Sequence, residues 1–543
     1  MNLFISFIPI IVMIIMIVAF KIRGDITGIV GWILTLIVAC LFFNTDVIFA
    51  LLASYKGLLA SMAITGMGFF ALLQITFMQE TGALQRAVVW IKTISYGDKP
   101  CQIMIINVIM GTMLVAVGAT PAIILPPVMF AMGYSTVIAV ALPCIGYDSL
   151  CTFAMLGATV VSLTDILTGA GFTFVDGTAP TLPVVAQYFT NYLPFITPCI
   201  CLSMLFMAGG GKLLKQGWFP ALLTGVCMGG FSWIYSRWVP QSIVLMGVFC
   251  GASTLVIMLI YMAIRRIKFF DNSGLTDEDR ALEKEIPLWK ALSPWVLLLF
   301  FCIVTNFVGP LKDVLYTGAL EMRVILWPGD AGQPMRVIWN AYFWVLISTL
   351  ICAIWLKPRN GSSWGKILTS WGRRVAPPTI SSIVYFSIAY VMMYSGYTFG
   401  VNPATGAETW FLDPANQDSN IIALWAHSAA AAFGWWYPVA NGFLGLLAGF
   451  VTGSETSTIA LFANYNLISA QDLGLNPLAV IASGGVAAGL ASVITPVKLQ
   501  QASASLNKVG AEADVLRKVL PYALVLVTVS VILSQIFAIV IPA

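Results

Sequence analysis

Of the chain's 543 residues, 59% are hydrophobic and only 9% are charged, with a mean hydropathy of +0.92. So little polar material cannot cover a water-exposed surface, which excludes a soluble globular protein and places the chain in a bilayer. The net charge of +4 is small for this length and reads as membrane orientation, not as nucleic-acid binding.

Apolar stretches of spanning character occur at 3–20, 26–43, 58–78, 103–118, 137–161, 193–207, 219–235, 242–264, 295–309, 337–356, 380–393 and 522–541. Each covers the roughly 30 Å of hydrocarbon, with tilt or slight extension where needed. The first is preceded by no basic residue and followed by Lys21 and Arg23, so it reads as a retained span with its N-terminus outside. Basic clusters at Arg86/Lys92/Lys99, Lys212/Lys215, Arg265/Arg266/Lys268, Lys357 to Arg374 and Arg517/Lys518 thread onto one face, the cytoplasmic one. Opposite loops are poorer in Lys and Arg: 44–46, 164–180, and 397–419 with Glu408, Asp413 and Asp418. Loop 310–336, of mixed charge, is the exception.

The longest strongly charged stretch, 265–293, is a solvated cytoplasmic linker between two transmembrane halves, 1–264 and 294–543. Threading makes the first span of one half run inward and the first span of the other run outward, the pattern of an inverted repeat. The ten cysteines are scattered mainly through spans and read as core packing. A single histidine excludes a two-histidine metal site, and no GxSxG, Walker or HExxH pattern is present. No enzyme activity, cofactor or metal is expected.

Polar groups inside apolar sequence mark the site, because an ionisable group at membrane depth is costly without a function. The strongest cluster is Gly453-Ser454-Glu455-Thr456-Ser457-Thr458. Segment 111–122 corresponds in position to 445–456. Each has a glycine hinge, Gly118 or Gly453, followed by a hydroxyl suited to cap a new helix: Thr120 before Pro121, and Ser454 before Glu455. A span that breaks and restarts at mid-membrane presents unpaired amides to a cavity, and such amides bind anions. Thr495-Pro496 starts another helix after the glycine-rich run 483–489. Lys498 then sits in its first turn, where it either faces a negative group or snorkels to the interface. Asp148, beside the break that Pro143 and Gly146 allow, is a second coupling candidate or a structural partner of Lys498 or of freed backbone. His427 is either packed or a proton-handling group.

Residues Gly449-Phe450-Val451-Thr452-Gly453-Ser454-Glu455-Thr456-Ser457-Thr458, followed by Ala460-Leu461-Phe462, resemble the lactate permease family. The family's equivalent segment reads close to F-L-T-G-S-D-T-S-S followed by A-L-F. The Leu424-Trp425-Ala426-His427 approach, the Gly484-Gly485-Val486 run with Thr495-Pro496, and Glu512 to Arg517 are similar too, with a weaker match across 101–170. The resemblance implies proton-linked uptake of lactate and related 2-hydroxy monocarboxylates across the bacterial cytoplasmic membrane. It also implies an all-α polytopic membrane protein, an inverted-repeat secondary transporter with broken helices, re-entrant hairpins and about 12–14 membrane-spanning segments. This chain departs from the family at two places. The usual E-G-A-A-G-F-G-A-P is replaced by Val115-Ala116-Val117-Gly118-Ala119-Thr120-Pro121, without the acid, and S-P-Q is replaced by Thr495-Pro496-Val497 followed by Lys498.

The residues give a mechanism to test. A carboxylate docks on the helix ends at Thr120, Ser454 and Thr495, and Thr456, Ser457 or Ser149 meets its 2-hydroxyl. Ionised Glu455 repels the anion and protonated Glu455 admits it, which is symport by linkage. Asp148 shares that role or replaces the missing acid. An acid that stays ionised and ligates a cation makes the transporter sodium-coupled instead. Lys498 favours a second negative group, as in a dicarboxylate or a sulfonated organic acid. A membrane-embedded enzyme needs catalytic groups that the loops do not offer, and a channel fits paired hinges and buried acids less well. The expected partners are a small organic anion, H+ or Na+, and membrane lipids; homo-oligomers are left open.

Overall fold

The computed structural model describes residues 2–541 except 19, 21, 23, 96, 175, 317, 331, 360, 403–405, 413–419, 507, 509 and 510. Lys21, Arg23, Asp413 and Asp418 of the sequence reading lie outside the described residues.

Helices α1 (Asn2–Val18) and α2 (Gly24–Phe42) pack together and lead to α3 (Val47–Glu80), the first of two long spans. Helix α3 begins well before the apolar run at 58–78, because Asp46 caps it by accepting the Phe49 N–H at 3.0 Å. The added turns carry Lys56 into the interior. After α4 (Ala83–Lys92), α5 (Lys99–Ile103), a π-helical segment (Met104–Met110) and α6 (Gly111–Ala116) climb to a break, and α7 (Pro121–Ala131) follows it. Helix α8 (Thr136–Gly146) gives way to a 3-10 segment (Tyr147–Phe153) before α9 (Ala154–Gly169). Next come α10 (Leu182–Thr190), α11 (Leu193–Trp238), which is interrupted at Gly209 and Gly210, and α12 (Met246–Ile264).

Segment 265–293, expected to be a solvated linker, is in part helical. It forms α13 (Asp277–Glu285), started by a Thr276–Asp279 capping box, and docks on α4 through Lys92–Asp279 at 3.0 Å and Arg86–Glu283 at 3.0 Å. Beyond it come α14 (Leu288–Phe307), α15 (Gly309–Tyr316), an antiparallel hairpin of β1 (Met322–Val324) and β2 (Gln333–Met335), and α16 (Ala341–Cys352). The second long span, α17 (Trp364–Met393), extends the predicted 380–393 backwards through Arg373 and Arg374, which stay exposed. A second hairpin, β3 (Thr398–Val401) with β4 (Glu408–Phe411), precedes α18 (Ile421–Phe433), α19 (Tyr437–Thr452), α20 (Glu455–Asp472), α21 (Pro477–Ala491), α22 (Pro496–Ser505) and α23 (Glu512–Val540).

Among the described residues, ten helices are long and apolar enough to cross a membrane, with shorter apolar helices at Asn2–Met16, Pro121–Ala131 and Ala341–Cys352. The chain is a multi-pass helical membrane protein. Its element order repeats: α2 to α9 and α16 to α22 each give a span, a long span, a shorter helix and two units of helix, break and helix. The long spans α3 and α17 pack along each other, while α19, α20 and α21 form a second tight group with α9. Close approach of α19 to α21 depends on small residues. A Cβ on Gly445 would sit 2.2 Å from the Gly484 carbonyl oxygen, and one on Gly449 would sit 2.4 Å from that of Ala488.

Candidate functional site: two acids among four helix breaks

Four interruptions converge on the site. The first has Gly118 at φ +81° and Thr120 in extended backbone before α7. The Thr120 hydroxyl makes no cap hydrogen bond, contrary to the sequence expectation, since Pro121 at the first helical position already removes one orphan N–H. The second spans the 3-10 segment and the start of α9, where Met155, Leu156 and Gly157 have φ of 50°, 58° and 71°. Non-glycine residues there cost about 1–2 kcal/mol each, so packing must hold this turn. In the third, Gly453 at φ +67° ends α19, and the Ser454 hydroxyl caps α20 by accepting the Ser457 N–H at 3.2 Å. The fourth is a 3-10 turn at Ser492–Ile494 followed by extended Thr495, whose hydroxyl donates to the Gly449 carbonyl at 3.3 Å. A Cβ on Gly453 would approach Thr495 Cγ2 to 3.0 Å, so the third and fourth breaks lie side by side.

Glu455 is buried in the first turn of α20, where an acid complements the helix dipole. Its Oε1 accepts a hydrogen bond from Thr152 Oγ1 at 2.6 Å. Its other oxygen lies over Gly489, where a Cβ would come within 2.7 Å. One residue on, Thr456 and Thr159 share a hydroxyl–hydroxyl bond of 2.6 Å, so the start of α20 is fixed to the start of α9. Ser149 is held by Thr112 at 2.9 Å.

Asp148 is 5% exposed. Its Oδ1 accepts from Ser492 at 3.4 Å, and its Oδ2 is buried with no hydrogen-bond partner among the described residues. Lys498 does not pair with Asp148. Its Nζ lies over the Tyr147 ring, 5.5 Å from the centroid, and among the described residues it forms no salt bridge. The site thus holds two buried acids and a nearby lysine, and among the described residues one Asp148 oxygen has no hydrogen-bond partner.

Of the predicted residues, the structure brings together Glu455, Thr456, Asp148, Ser149, Ser454, Ser457, Thr495 and Lys498. Thr120 joins from α7, which packs on α22, while Gly118 abuts Met67 and Ala71 of α3. His427 stands apart. Its Nδ1 is 2.5 Å from Asp472 Oδ2 at the far end of α20, about 25 Å along the helix from Glu455. Sequence reasoning missed Thr152, Thr159 and Ser492, and read Gly489 only as the end of the glycine-rich run 483–489. Thr152 had a usable signal, being four residues from Asp148 in a polar patch; the others had none beyond lying near a break.

The family model described as L-lactate permease matches residues 2–541. The chain is similar to the L-lactate permease of Streptococcus iniae, at 23% identity over 87% of this chain and 91% of that protein. It is similar to the glycolate permease GlcA of Escherichia coli (strain K12), at 21% identity over 97% of this chain and 94% of that protein. The match to the L-lactate permease of Salmonella typhimurium, 21% identical, covers 63% of this chain and 62% of that protein's length. Among solved structures, the YdaH transporter of Alcanivorax borkumensis aligns over 95% of this chain and 98% of its own, at 13% identity and a TM-score of 0.47.

Proposed function

The chain belongs to the L-lactate permease family, and from that premise we propose that it is a secondary transporter importing lactate, glycolate or a related 2-hydroxy monocarboxylate together with a proton. Its relatives, an L-lactate permease and a glycolate permease, supply the substrate class. The observation that carries the coupling is the position of Glu455: buried, at the positive end of a helix that restarts inside the bundle, and hydrogen-bonded across to the other half of the chain.

The helix ends at Ser454 and Thr495 attract a carboxylate through their amides. A charged Glu455 in the same turn opposes that binding, and a protonated Glu455 does not, so each ligand raises the other's affinity by the same factor. Asp148, with one oxygen unpartnered among the described residues, shares the proton-binding role. The repeated element order supports an inverted repeat, in which the two broken-helix units of each half face one another. His427, paired with Asp472 at the far end of α20, belongs to the periphery of this scheme.

A second reading has a specific observation in its favour. Lys498 carries a charge that no carboxylate among the described residues neutralises within ion-pair distance. That suits a substrate with a second negative group, a dicarboxylate or a sulfonated hydroxy acid, driven by protons or by sodium. Uptake of L-lactate, glycolate, malate and sulfolactate into proteoliposomes, with pH and sodium gradients imposed separately, distinguishes the two. Lactate or glycolate driven by a pH gradient supports the first reading. Accumulation of only doubly charged acids supports the second.

A further inference from the structure

Among the described residues the buried cations, Lys56, Arg86 and Arg336, all have carboxylate partners. Lys56 of α3 forms an ion pair with Asp330, between β1 and β2, and both side chains are buried. Arg86 pairs with Glu283, and Arg336 with Asp165 and Glu321. Arg237, in the last turn of α11, differs. It is half-buried, and among the described residues no carboxylate lies within ion-pair distance of it.

Neutral groups from two helices hold its guanidinium. Nη1 donates to the Trp233 carbonyl at 3.1 Å and to Ser236 Oγ at 3.2 Å, and Nη2 donates to Asn191 Oδ1, just beyond α10, at 2.7 Å. The group lies over the Trp233 ring, 4.2 Å from its centroid. A guanidinium has five N–H donors, so the Nε hydrogen and one Nη2 hydrogen remain without a partner among the described residues. A planar fork held in place with two free hydrogens suits a two-pronged contact with an anion.

Its depth follows from the helix. After the break at Gly209 and Gly210, Lys212 and Lys215 are exposed, and no charged residue lies between Lys215 and Arg237. The helix rises about 33 Å from Lys215 to Arg237, close to the roughly 30 Å of a hydrocarbon layer. Exposed tryptophans stand at both ends, Trp218 beside Lys215 and Trp233 with Trp238 beside Arg237, as in the aromatic belts of membrane interfaces. Arg237 therefore sits at headgroup level. Below it, Trp233, Gly230 and Val226 follow at helical spacing on the same face. Trp233 and Val226 are exposed, and a Cβ on Gly230 would meet nothing, so a shallow recess runs down from the guanidinium.

We propose that Arg237, held by Asn191 and Trp233, binds one anionic phospholipid, with the lipid phosphate on the free edge of the guanidinium and an acyl chain along Trp233, Gly230 and Val226. The phosphate supplies the counter-charge that the protein does not. A zwitterionic headgroup brings its own ammonium, which the guanidinium repels, so a headgroup of net negative charge is preferred. The recess offers apolar surface to a chain, which a free phosphate cannot use.

Delipidated protein in detergent is titrated with dioleoylphosphatidylglycerol or dioleoylphosphatidylcholine, and bound lipids are counted by native mass spectrometry with wild type and variant mixed in one sample. Wild type is expected to bind its first phosphatidylglycerol about tenfold more tightly than Arg237→Gln, the loss of a two-pronged, charge-assisted contact. It is also expected to bind phosphatidylglycerol more tightly than phosphatidylcholine. Arg237→Lys keeps the charge without the fork and is expected to fall between wild type and Arg237→Gln. Equal binding by wild type and Arg237→Gln, or no preference between the two lipids, overturns the proposal. If Arg237→Gln does not fold, Arg237→Lys decides the matter, and binding equal to wild type overturns it. Inorganic phosphate at the lipid's concentration is expected to leave the lipid bound; displacement of the lipid would make this a site for free anions and overturn the lipid assignment.

Discussion

Thr152 and Glu455 lie 303 positions apart in sequence and meet at 2.6 Å, hydroxyl to carboxylate, where two broken helices touch. This bond ties the acid at the start of α20 to the 3-10 segment Tyr147–Phe153. Replacing the donor isolates its contribution. Thr152→Val should cut the uptake rate about tenfold, because a buried carboxylate oxygen left without its donor costs about 1–3 kcal/mol. Thr152→Ser should stay within about threefold of wild type by keeping the hydroxyl. Initial rates of L-lactate uptake at equal membrane protein levels check this.

Gly489 gives the Glu455 carboxylate its room. Since a Cβ there would lie 2.7 Å from Oε2 and 3.3 Å from Cδ, Gly489→Ala must push the acid out of place. The expected result is a folded protein, with thermal stability lowered by about 1–3 kcal/mol at most, whose proton-driven uptake is largely lost. Fluorescence-detected gel filtration read beside the transport assay separates the two effects. Normal uptake in Gly489→Ala would mean that the position of the carboxylate is not critical.

The Lys56–Asp330 pair is a stability element. Asp330→Asn should destabilise the protein by roughly 3–5 kcal/mol because it strands a buried ammonium, and the double variant Lys56→Met with Asp330→Leu should recover most of that loss. Thermal unfolding in detergent measures both. A single variant as stable as wild type would show that water reaches Lys56.

Linker docking carries a pH dependence. Burial pushes the Asp279 carboxyl up, but hydrogen bonds from Lys92 and from the Thr276 N–H and hydroxyl outweigh it and hold the group below its ordinary value of 3.8. A depressed value in the docked state means that the undocked state binds protons first. The contribution, of order 1 kcal/mol, is therefore full above about pH 5 and is lost as the pH falls through the docked-state value. Protease cutting within 265–293 should rise at low pH, and Asp279→Asn should remove that dependence.

Much of the site was legible because backbone breaks leave local marks. Gly453 before Ser454 and Thr495 before Pro496 are signals of helix ends, and both ends occur where predicted. Asp148 was placed near a break, but the interruption runs on to Gly157 through Met155 and Leu156, residues that carry no turn chemistry and are held left-handed by their surroundings. What could not be read was pairing between distant positions. Nothing near Thr152 or Thr159 announces α20, and of the partners open to Asp148 the sequence did not single out Ser492, while Lys498 rests over Tyr147. Lys56 escaped notice for a similar reason: the apolar run begins after it, and its partner lies 274 residues away.

The most direct measurement is proton-driven accumulation of L-lactate by Glu455→Gln in proteoliposomes, read beside exchange of labelled for unlabelled lactate without a gradient. Glutamine fills the space of the protonated acid but cannot bind or release a proton. The account predicts that accumulation against the gradient is lost while exchange persists and no longer responds to pH. Accumulation equal to that of wild type, with its pH dependence unchanged, would contradict it.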